Sequence, residues 1–74
     1  MSFEEVSLNA RNFAIQQGFT NLFLELENGE LGSDGRWHIT FLQTAYNPTR
    51  VEVVVDDSTG KVTGFKRLPA DGRL

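Results

Sequence analysis

The chain reads as an α+β domain: one N-terminal helix packed on one face of a four-stranded antiparallel β-meander. Three observations predict it. The stretch from Phe3 to Gln17 carries a helical stripe between recognisable caps. From Asn21 onward the apolar period drops from about 3.6 to 2. Arg50 to Leu68 spells strand, tight turn and strand.

The helix comes first. Ser2 followed three residues later by Glu5 is a capping-box pattern. Phe3, Val6, Ala10, Phe13 and Ala14 then fall within one stripe that Gln17 completes. Gly18 is suited to a left-handed cap, and Phe19 beyond it can fold back onto the last turn. Leu8 and Ile15 lie on the opposite side, two turns apart, on the face expected to meet water.

Four strands follow. Leu22, Leu24 and Leu26 alternate with Phe23, Glu25 and Glu27, giving a strand with one apolar face. Asn28 to Gly35 holds three glycines and reads as a long hairpin connection, with Asn28-Gly29 and Asp34-Gly35 as the two candidate reversals. Trp37, Ile39 and Phe41 alternate with His38, Thr40 and Leu42 in the second strand. Thr44 to Thr49, with Asn47-Pro48, is a connection because proline cannot donate to a ladder. Val51 to Asp56 is the third strand and Lys61 to Leu68 the fourth, joined by the turn Asp57-Ser58-Thr59-Gly60. Pairing Asp56 with Lys61 sets Val55 against Val62 and Val53 against Gly64. The domain so defined spans 1–68, and 69–74 is expected to be a flexible tail.

Helix and strands match in length at roughly 20 Å. The helix can therefore cover one sheet face and no more. The expected core gathers Phe3, Val6, Ala10 and Phe13 against Leu22, Leu24, Leu26, Trp37, Ile39, Phe41, Val51, Val53, Val55 and Val62. Phe23, Leu42, Val54 and Phe65 are then left on the far face with nothing to cover them. Together with Leu8 and Ile15 they are the candidate protein-interaction residues.

Composition sets bounds on function. Seventy-four residues without cysteine must fold on an apolar core alone, here 39% hydrophobic with six Phe and one Trp. A net charge of -3, with pI near 4.9, argues against non-specific binding to nucleic acid or an anionic membrane. No apolar run approaches the roughly 20 residues of a membrane span. The N-terminus lacks the basic and apolar regions of a secretory signal, so the chain reads as cytoplasmic unless it is excised from a larger exported protein.

Catalytic patterns are poorly supplied. The single histidine, His38, sits mid-strand and reads as a solvated polar position. Asp56 and Asp57 are adjacent, which sends their side chains to different sides, and they read as turn formers. Gly60-Lys61 lacks the upstream glycine and following Ser/Thr of a phosphate loop. The spacing after Asp56 or Asp57 does not fit a calcium loop. The expectation is a non-enzyme with no cofactor and no metal.

Arg36 to Phe41, Val51 to Asp56, and Asp57 to Val62 together resemble the PepSY domain. The likeness rests on an aromatic-bearing strand after a Gly-rich turn and on an Asp-x-x-Thr-Gly-Lys-Val type turn, matched by Asp56 to Val62. The resemblance implies a small, somewhat cystatin-like helix-on-sheet domain. It also implies an inhibitory or regulatory binding role, of the kind such domains play in protease propeptides and in secreted or membrane-tethered bacterial proteins. Two functional expectations follow: a regulatory module that docks another protein through the open sheet face or an edge strand, and a self-associating homodimer that buries the same face against its copy.

Overall fold

The computed structural model describes residues 2–19, 24–44 and 48–69. It contains α1 (Phe3–Gln16) followed by β1 (Leu24–Leu31), β2 (Arg36–Gln43), β3 (Thr49–Asp56) and β4 (Val62–Pro69). The strands form one antiparallel sheet in the order β1-β2-β3-β4, with α1 on one face. This is the α+β meander that the sequence predicts. Leu22, Phe23 and the tail residues 70–74 lie outside the described residues.

Both helix caps form as the sequence suggests. The Glu5 backbone N–H donates to Ser2 Oγ at 3.2 Å, and the Ser2 N–H donates back to Glu5 Oε1 at 3.0 Å. The helix ends at Gln16 with Gln17 as its cap. Gly18 then takes φ 106° and donates to the Ile15 carbonyl, while the Phe19 N–H reaches the Ala14 carbonyl. This Schellman arrangement turns Phe19 inward, where its ring meets Phe65 at 6.2 Å.

Val6, Ala10 and Ala14 form the buried row of α1 and meet Ile39, Phe41, Val51, Val53 and Val55 from the sheet. Two alanines in that row let the helix approach the strands closely. Its contacts centre on β3 and extend to β2 and β4, so β1 projects beyond its shelter. Leu26 faces the helix side, opposite Phe41, yet it is 39% exposed for this reason.

The first reversal is made by Asp34-Gly35, not Asn28-Gly29. Gly35 has φ 77°, the Gly35 N–H donates to the Gly32 carbonyl, and the Arg36 N–H donates to Asp34 Oδ1. Asn28-Gly29 instead lies inside β1, which therefore runs longer than its alternating segment. A bulge there leaves Glu27 without an opposite residue, since Leu26 pairs with Phe41 and Asn28 with Thr40. Gly29 is needed where it stands: a Cβ on it would run into the Phe3 ring.

A second bulge corrects the orientation of Phe65. Val55 pairs with Val62, but Val54 rather than Val53 pairs with Gly64, so Thr63 is the extra residue. Every side chain beyond it changes face. Phe65 consequently sits opposite Val53 and packs edge-on to Phe13, with ring centroids 5.3 Å apart. It belongs to the helix side and is no part of an outer patch.

Candidate protein-interaction surface

The outer sheet face is mixed in character. Leu42 and Val54 do lie on it, half-buried, but Leu42 stands between Glu25 and Arg50 while Val54 stands between His38 and Gly64. Thr40 separates His38 from Leu42 along β2, so the two apolar side chains do not meet. Arg50 Nε donates to Glu27 Oε1 at 2.6 Å, which holds the Glu27 carboxylate below its usual range and raises the guanidinium. His38 lies 3.8 Å from Asp34 and 3.6 Å from Glu52, a loose solvated cluster. Phe65 is turned inward and Phe23 lies outside the described residues; among the described residues the expected outer patch comes down to Leu42 and Val54, which stand apart.

A different surface carries part of the exposed apolar area. Among the described residues six large hydrophobic side chains are exposed, and three of them (Phe3, Leu26, Leu31) lie on the helix side of the sheet at β1. Leu26 and Leu31 occupy β1 opposite Phe41 and Trp37, beyond the edge of the helix. Phe3 lies over Gly29 and meets Trp37 at 5.7 Å, closing one end of the trough. Arg11 forms its inner wall: Nη1 donates to the Leu24 carbonyl at 2.7 Å and the guanidinium lies 5.1 Å from the Phe41 ring centroid. At 100° per residue Ile15 and Leu8 sit roughly 40° and 60° further round the helix than Arg11, on its outward face and away from β1. Exposure across Phe3, Leu26 and Leu31 runs from 38% at Phe3 to 52% at Leu31.

The sequence marked Leu8 and Ile15 correctly as exposed. It missed Leu26 because alternation alone assigns a residue to a face and cannot say how far across the sheet one helix reaches, and it missed Leu31 because Asn28 to Gly35 reads as a connection where the structure continues β1. The hint available was arithmetic: a single helix about 10 Å wide cannot roof four strands about 4.8 Å apart.

The turn between β3 and β4 is built for rigidity. Asp56 accepts from both the backbone N–H and the hydroxyl of Ser58, and these bonds hold its carboxyl below the ordinary range. Asp57 accepts from the Trp37 indole at 2.7 Å, and that bond is the main reason its carboxyl is also depressed. A depressed carboxyl stabilises the folded state above the ordinary aspartate value, near pH 4, and loses that contribution as pH falls through the lower folded-state value. Asp57→Asn is therefore expected to be less stable than wild type at pH 7, with the gap narrowing as pH drops below about 4. Urea titrations followed by Trp37 fluorescence check this; a gap that stays constant with pH refutes it.

A second, shallow concavity lies between α1 and this turn, lined by Asn9, Asn12, Gln16, Lys61 and Val62, with Asn9 Nδ2 donating to the Gly60 carbonyl at 3.3 Å. It gathers no pair of titratable groups. No cluster of three or more metal-ligating side chains occurs among the described residues. Nor is any helix among them long and apolar enough to cross a membrane.

Fold and surface define a small α+β domain with an apolar trough beside an edge strand. No protein-family model, curated protein or solved structure matches the chain.

Proposed function

We propose that this domain is a non-catalytic protein-binding module that receives an extended segment of a partner along β1, as a fifth strand. One observation carries the reading: three of the six large apolar side chains exposed among the described residues, Phe3, Leu26 and Leu31, lie on or over that edge strand on its helix side. An edge strand offers unpaired backbone groups along one side, and apolar side chains beside it supply affinity that main-chain bonds alone do not. The other edge is less receptive, because β4 carries Thr63 as a bulge, Lys66 and Arg67 in its middle, and Pro69 at its end. The PepSY resemblance adds regulation of a peptidase as a setting.

Self-association is the competing reading, and the chemistry of β1 weighs against it at this edge. Two copies of β1 paired antiparallel about a two-fold axis would bring Glu25, Glu27 and Glu30 of each against those of the other. The protein is expected to be monomeric by light scattering at micromolar concentration.

The test uses a displayed library of linear peptides selected on the folded protein. Leu26→Asp/Leu31→Asp changes two partly exposed positions and is expected to fold cooperatively with a lowered thermal transition, as loss of partial apolar burial beside Phe41 requires. Selected peptides should lose at least tenfold in affinity for this variant and should slow amide exchange in β1 but not in β4. Peptides that bind both proteins equally, or that protect β4, overturn the proposal.

A further inference from the structure

The trough also indicates what kind of strand it accepts. We infer, resting on the strand-addition reading above, that the partner segment alternates apolar residues with Lys or Arg. The two faces of β1 differ sharply. Toward the helix it presents Leu24, Leu26, Gly29 and Leu31; on the outer face lie Glu25, Asn28 and Glu30, with Glu27 at the bulge. The strand contains no Lys or Arg.

An incoming strand places alternate side chains on the same two faces. Its helix-side residues meet Leu26 and Leu31, so they must be apolar. Its outer residues come within cross-strand distance, roughly 5 Å, of Glu25 and Glu30. Glu27 is engaged by Arg50. Glu25 forms no ion pair among the described residues, and Glu30 receives only a long contact from the Asn28 amide at 3.5 Å. Lys or Arg opposite these two carboxylates gains an ion pair, and Asp or Glu is repelled. The same row that bars a second copy of β1 therefore admits a cationic strand and rejects an acidic one, which gives discrimination by repulsion as well as attraction.

Three ten-residue peptides of identical apolar positions decide the matter: one alternating Val with Lys, one alternating Val with Glu, and one alternating Val with Thr. Binding is read by calorimetry and by chemical-shift changes of the β1 amides, at low and at 0.5 M salt. The Lys peptide is expected to shift the β1 amides and to bind at least tenfold more tightly than the Thr peptide at low salt. The Glu peptide should be the weakest. Glu25→Gln/Glu30→Gln should cost the Lys peptide roughly tenfold, as two exposed ion pairs allow, and leave the Thr peptide unchanged. Should all three peptides shift β1 alike, strand addition stands and the cationic preference falls. Should none shift β1, both fall.

Discussion

Phe41→Ala is expected to destabilise the domain by about 3–5 kcal/mol, the cost of emptying a fully buried aromatic site. Phe41 has no exposed surface and stands mid-sheet between Leu26 and Val51, with Arg11 over its ring. Total stability for 74 residues is only about 4–11 kcal/mol at typical values per residue, so this one change removes a large share of it. Urea titration at 25 °C checks the prediction, with Leu42→Ala as the internal control. Leu42 is the next residue along β2 but faces the other way, and its truncation should cost less than about 1 kcal/mol. Equal costs at the two positions would contradict the assignment of faces to this strand.

That contrast also shows where sequence patterning succeeds and where it stops. The alternation Trp37, Ile39, Phe41 against His38, Thr40, Leu42 assigns β2 correctly, because a regular strand has only two ways to sit on its core. The same logic fails for Phe65, since one extra residue at Thr63 reverses the face of everything after it. Gly64 hints at such a bulge without specifying the register. In β1 the pattern changes for a related reason: the bulge at Glu27 lets the strand run on through Asn28-Gly29, a pair that elsewhere closes a hairpin. The candidate site suffered most, because it depends on which apolar residues are left over. Moving Phe65 inward breaks up the outer patch, and the limited reach of α1 uncovers Leu26 and Leu31 instead. Helix width, not residue pattern, decides the second effect.

Arg11 joins the stability of the fold to the site. Along with Phe3 over Gly29, it is a side chain through which the helix holds the strand at the margin of its cover. Its bond to the Leu24 carbonyl is a charged donor in a part-buried setting, a class worth about 1.5–3 kcal/mol. The guanidinium over Phe41 adds about 0.5–1 kcal/mol. Arg11→Met keeps a long, helix-favouring stem while deleting the charged head. We expect it to cost about 2–3 kcal/mol by urea titration and to speed amide exchange in β1 before any other strand. Arg11→Lys should recover less than half of the loss, since a compact ammonium cannot lie flat on the ring while holding the carbonyl. A Met variant within about 0.5 kcal/mol of wild type, with β1 protection intact, would refute this role. A loosened β1 would also have to be ordered before it could template another strand, so the Met variant should bind the Lys peptide more weakly although none of the residues facing that peptide's outer row has changed.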